Sequence, residues 1–164
     1  ENANRDYVTD PKLRIMFLRS QNFDPKEAAA HFFEFLEAKL DLWGADKIAE
    51  AITFSNMGAG PRGALENGHI QILPSKDRSG RRVIFNNVNH LGGHEDEDDT
   101  IRVLWYLSSI ALEDEEVQRR GLVYIQFKSG KQYGLTPQKR MLWKALMVSR
   151  CFPIGLGITY LCFD

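Results

Sequence analysis

Leu122-Val123-Tyr124-Ile125-Gln126-Phe127 carries five apolar or aromatic residues in six, with no glycine or proline inside it. A run this short, starting directly after Gly121, reads as a β-strand. Alternation along a strand puts Leu122 and Tyr124 on one face and Val123, Ile125 and Phe127 on the other. Both faces are apolar, so both need a cover. Working outward, Arg82 to Val88 is a second strand. His69 to Leu73 pairs with it as a hairpin across the turn Asp77-Arg78-Ser79-Gly80. From about Thr100 to Leu112, the apolar residues Ile101, Leu104, Trp105 and Leu112 recur along one side of a helix, joined there by Ser108. Thr136 and Pro137 open another helix, with Met141, Leu142, Ala145 and Val148 apolar. Gly157 to Phe163 is a last strand, with Ile158, Tyr160 and Cys162 opposite Leu161 and Phe163. The order strand, helix, strand, helix, strand calls for parallel strands joined by right-handed crossovers, an α/β arrangement. Helices cover one face of such a sheet, and the covering of the other face is the question that bears on function.

The front of the chain is helical. Asp24 can accept the free N–H groups of a helix start, Pro25 suits the first position, and Glu27 completes a capping box. Ala28, Phe32, Phe35, Leu36, Leu40 and Trp43 then form one apolar stripe, which Gly44 ends with a left-handed stop, giving a helix of about 19 residues. Asp10 and Pro11 cap a shorter helix through Arg19. Glu1 to Tyr7 reads as polar and frayed, and Asp46 to about Phe54 as a third helix. Met57 to Gly63 holds three glycines and a proline and breaks regular structure. The boundary is placed there, giving an N-terminal helical segment over 8–57 and an α/β domain over 64–164.

The 164 residues suffice for one domain with a substantial core. Lys and Arg number 21 against 22 Asp and Glu, a balance that does not suggest nucleic acid as a partner. Cys151 and Cys162 fall in apolar segments without a CxxC pair or a signal-like leader, which fits a reducing cytoplasm. No apolar run approaches the roughly 20 residues of a membrane span, so any membrane contact is peripheral.

Several separated motifs also resemble one family. Leu13, Met16 to Arg19, Phe23-Asp24 and Ala28 are similar to the N-terminal helical motif of CRAL-TRIO proteins, carriers of phosphatidylinositol, tocopherol and retinoids. Asp77-Arg78-Ser79-Gly80-Arg81-Arg82-Val83 resembles the family's turn into its early strand. Leu104-Trp105-Tyr106 is similar to the apolar helix that follows, and Gly121 to Gly130 to its central strand. Phe152-Pro153-Ile154-Gly155-Leu156-Gly157-Ile158-Thr159-Tyr160 resembles its Tyr-Pro-Glu-Arg-Leu-Gly segment. The resemblance implies a mostly parallel sheet with helices on one face and a lipid cavity on the other, closed by a gate helix. It implies lipid binding and intermembrane transfer, with a hydrophobic small molecule or phospholipid as partner. The aromatic residues expected to line the pocket are Phe85, Trp105, Tyr124, Phe127, Phe152, Tyr160 and Phe163. Ile154 stands where the family carries a headgroup-binding glutamate, and Phe127 where it commonly carries an aspartate, so phosphatidylinositol recognition is not expected. The gate region would lie beyond Asp164, which makes the chain a truncated member on this reading. The alternative is a protein-interaction module that keeps the fold without the cargo.

Other motifs have plainer readings. Gly58 to Gly63 matches the dinucleotide fingerprint in letters but lacks a preceding strand, and reads as a linker, so no cofactor is expected. His90 and His94 beside Glu95 to Asp99 could ligate zinc, yet Leu91-Gly92-Gly93 makes a loop, and the acidic residues suit a helix start; no metal is assigned. Ser108, Ser109 and Ser149 lack a nucleophile elbow, and no nucleophile, base and orienter can be assigned, so no catalytic residue is named. Lys128, Lys131, Lys139, Arg140, Lys144 and Arg150 read as a solvated helix face or an attraction for anionic lipid heads.

Overall fold

The computed structural model describes residues 2–87, 97–128, 148–154 and 156–163. Helix α2 (Pro11–Ser20) and helix α3 (Pro25–Trp43) meet at a corner in which Asn22 and Phe23 take positive φ values of 51° and 63°. The N–H of Phe23 reaches back to the carbonyl of Leu18 at 2.7 Å, closing the last turn of α2. The carboxylate of Asp24 then accepts from Lys26 and Glu27 at 2.9 and 3.1 Å. The N–H of Asp24 itself goes to the carbonyl of Gln21, so Glu27 does not close the reciprocal half of the expected box. Gly44, at φ 80°, ends α3.

Four local expectations are corrected. Residues 2–9 are not frayed but form helix α1 (Asn2–Thr9), where the Tyr7 ring lies 4.0 Å from the ammonium of Lys39. That cation–π contact comes from a helix remote in sequence, which the polar N-terminal letters do not announce. The expected helix over Asp46 to Phe54 shrinks to a single 3-10 turn, Ala45–Lys47. Thr53 and Asn56 bond each other's backbone through their side chains, and Asn56 Nδ2 donates to the carbonyl of Ala51. These bonds offer the backbone an alternative to the helix. Met57 to Gly63 does not break structure throughout, because helix α4 (Ala59–Glu66) begins inside it. Gly58 precedes α4 at φ 90°, and Pro61 sits in the first turn, where its missing N–H costs little. A Cβ on Gly60 would stand 2.0 Å from a carboxylate oxygen of Asp99, so glycine allows the close approach of α4 to the next helix. Finally, helix α5 spans Glu97–Ala111 and starts before Thr100, drawing Asp98 and Asp99 into its first turn.

Helix α6 (Glu115–Arg120) had no counterpart in the sequence reading, although its signals are present. Asp114 caps it, Glu115 and Glu116 begin it, Arg119 and Arg120 close it, and Gly121 stops it at φ 84°. Lys76 reaches Asp114 and Glu116, both at 2.8 Å, and Arg120 donates to the carbonyl of Ser79, which ties α6 to the hairpin turn. Hydrogen bonds from that ammonium hold both carboxyls below their ordinary range.

The sheet has the order β1 (Ile70–Ile72), β2 (Arg82–Asn87), β3 (Leu122–Lys128), β4 (Leu156–Phe163). β1 is antiparallel to β2, and β2, β3 and β4 run parallel, as the alternation of elements requires. Turn residue Asp77 accepts from the Ser79 and Arg81 N–H groups, and Gly80 takes φ 80°. The helix expected from Thr136 and Pro137 lies outside the described residues as far as 147, and residues 148–151 are helical.

One core joins the helical front to the sheet. Phe17, Ala28 and Phe35 pack with Trp105, Leu112, Phe152, Ile70, Ile84 and Leu122. His31 Nε2 donates to the carbonyl of Arg150 at 3.0 Å, which holds the turn carrying Phe152 against α3. No described helix is long and apolar enough to cross a membrane.

Candidate functional site

The ladder registers sort the strand residues into two faces. In one set, Ile70 pairs with Asn86, Ile72 with Ile84, and Ile84 in turn with Tyr124. Ile70, Ile84 and Leu122 are core members, with Ile72 and Tyr124 packed against them, so this is the face that the helices cover. In the other set, Val83 pairs with Val123, which pairs with Ile158; Phe85 pairs with Ile125, which pairs with Tyr160; Asn87 pairs with Phe127, which pairs with Cys162. Paired positions share a face, so ten positions including Gln71 opposite Phe85 make a second surface without a single charged residue.

Local sequence builds this second surface. β-Branched and aromatic residues at every other position favour extended backbone and put their bulk on one side. A register shift between Leu122 and Val123 inserts Gly157 as an extra residue in β4, after which the two strands alternate in step. Val83 and Val123 are buried yet stand apart from the core cluster, and Ile125 and Phe127 are half-buried. The rings of Phe85 and Phe127 stack at 6.5 Å and 23°. Toward β4 the surface opens, with Tyr160 49% exposed and Cys162 exposed beside it. Val83, Val123 and Ile125 share the second face with the predicted aromatics, and strict alternation was the signal that includes them.

The seven residues expected to line a pocket do not lie together. Phe85, Phe127 and Tyr160 share the second face. Trp105 and Phe152 belong to the helical core, 4.7 Å apart by ring centroids and both against Phe35. Tyr124 lies on the covered face, where its hydroxyl accepts from Asn86 Nδ2 at 2.7 Å and burial pushes its pKa up. Phe163 belongs to β4, opposite Lys128. Ile154 is buried in the core, among the apolar side chains rather than at a polar rim.

Among the remaining groups, Cys151 is held as a buried thiol. Burial pushes the Cys151 thiol up to about 12, and its S–H donates to the carbonyl of Val148. The glycine pattern opens α4, which irregular chain precedes where a dinucleotide site needs a strand. His90, His94, Lys131, Lys139, Arg140 and Lys144 lie outside the described residues. Among the described residues, no group of three or more His, Cys, Asp or Glu is placed to hold a metal ion.

No protein-family profile matches this chain, and no curated protein matches it either.

Proposed function

We propose that this chain binds a hydrophobic lipid along the second face of its sheet and passes it between membranes, as a non-enzymatic carrier of the CRAL-TRIO type that its motifs resemble. The observation that carries this reading is the in-register row of Val83, Phe85, Val123, Ile125 and Phe127, uncharged and separate from the helical core. A ligand burying on the order of 300 Å² of apolar area there gains about 7 kcal/mol before the costs of association. Gln71 and Asn87, at the margins of the row, are neutral polar groups able to orient a ligand without selecting a charge. That agrees with Ile154 standing where the family carries its headgroup glutamate.

The test is native mass spectrometry of the expressed chain, followed by transfer of fluorescent lipids between vesicles. Co-purifying lipid and transfer are expected, with Ile125→Arg weakening binding at least tenfold while the circular dichroism spectrum stays unchanged. An empty, folded protein that ignores a lipid panel would sink the reading. One observation favours the alternative, a protein-interaction module: Tyr160 and Leu161 point to opposite faces of β4, and both are about half exposed. A pull-down that recovers a single stable partner and no lipid would favour that module.

A further inference from the structure

The helical half holds a cleft of about 580 Å³, whose lining includes none of the second-face residues. Its lining includes Leu13 and Met16 of α2, Ile52 in the loop after the 3-10 turn and Tyr106 of α5, backed by the buried aromatic trio Phe35, Trp105 and Phe152. At the rim, Phe54 and Ile110 stand 42% and 38% exposed, on segments remote from each other in sequence. Large apolar side chains left wet on the lining of one cleft gain from being covered by the same object. The volume lies within the range of small-molecule sites, roughly 300 to 1,000 Å³.

The polar groups narrow the chemistry. Asp10, Glu113 and Lys12 all line the cleft, so the opening does not select one sign of charge. The Asp10 carboxylate already accepts from the backbone N–H of Lys12 at 2.9 Å. Ser109 Oγ donates its proton to the carbonyl of Trp105 at 3.0 Å, which leaves its oxygen as an acceptor toward the cleft. Tyr7 contributes a ring clamped over Lys39.

We propose that this cleft is a second binding site, independent of the sheet face, for an uncharged, ring-bearing small molecule carrying an O–H or N–H donor. The rings lie against Phe54, Tyr106 and Ile110, and the donor meets Ser109.

The probe that tests it is N-phenyl-1-naphthylamine, a neutral two-ring-system amine with one N–H, whose emission rises on transfer to an apolar site. Its emission is titrated on the full chain and on three variants. Ala51→Trp places bulk in the mouth from an exposed loop position and is expected to weaken binding at least tenfold. Phe54→Ala removes one rim residue at a position too exposed to threaten folding and is expected to weaken it severalfold. Ile125→Arg, on the sheet face, is expected to leave this binding intact. Absence of binding to the parent chain overturns the proposal. Loss of binding in Ile125→Arg with full retention in Phe54→Ala overturns it too, because the probe then occupies the sheet face. If Ala51→Trp fails to fold, the opposed responses of Phe54→Ala and Ile125→Arg decide the matter.

Discussion

The two faces of the β-sheet are made from alternate residues of the same strands, with similar apolar content, yet they meet different surroundings. Ile84 and Leu122 enter a core that reaches through Trp105 to Phe35 and Phe17. Their immediate neighbours along the chain, Val83, Phe85 and Val123, stay outside that core, and Tyr160 remains half exposed. The difference teaches that alternation along a strand assigns a residue to a face, while packing beyond the strand decides whether that face joins the helical core. Val83 and Val123 are buried all the same, and the second face keeps exposed apolar area, with its favourable transfer free energy, toward Tyr160.

The largest effect that would break the comparison is a matched pair of truncations. Trp105→Ala, in a side chain 1% exposed, is expected to cost about 3–5 kcal/mol in urea unfolding. Phe127→Ala, which loses a stacked aromatic neighbour on the open face, is expected to cost about 1 kcal/mol. Equal losses would mean that the two faces are buried alike.

A smaller effect concerns the shield. Asp24→Ala removes both hydrogen bonds at the start of α3, which brings Phe35 to the covered face, and is expected to cost about 1 kcal/mol. The same substitution should leave lipid binding on the second face unchanged. Impaired binding at unchanged occupancy of the folded state would mean that the two faces are coupled.

The smallest effect is a pH dependence confined to the helical side. Lys39 is buried and its ammonium donates to the carbonyl of Glu50, and desolvation lowers its pKa to about 8 from 10.5. Between about pH 8 and 10.5 the unfolded chain therefore holds the proton that the folded chain has released, so this group makes stability rise with pH. Tyr7 acts in the opposite sense above pH 10, because burial raises its pKa from 10.0 to about 12 and the folded state keeps its proton longer. The expected outcome is a shallow rise in Tm from pH 8 to 10, about 2–4 °C if ~1 kcal/mol survives solvent screening, and its disappearance in Lys39→Met. A rise that persists in that variant would assign it to another group.

Much of the fold was legible because its signals are local. Asp24 with Pro25 and Gly44 delimit α3, and Asp77 with Gly80 delimit the hairpin turn, since capping and positive φ involve only a few neighbouring residues. Alternation in β3 and β4 likewise assigned residues to faces and separated Phe127 from Tyr124. The candidate site was legible only in part. Grouping residues by aromaticity gathered Trp105 and Phe152 with Phe85, whereas grouping by alternation brings in Val83, Val123 and Ile125 instead.

Sequence alone determined the parallel strand pairing, the cap at Asp24 that starts α3, and the apolar character of both sheet faces. Each of these is set by steric and hydrogen-bonding preferences within a few residues, or by a periodicity along one strand. Tertiary structure decided the rest: that residues 2–9 are helical through the seat of Tyr7 on Lys39, that α4 can close on Asp99 through Gly60, and which apolar face the helices take. Those outcomes depend on contacts between residues far apart in the chain, whose free energy exists only once the covering elements have come together.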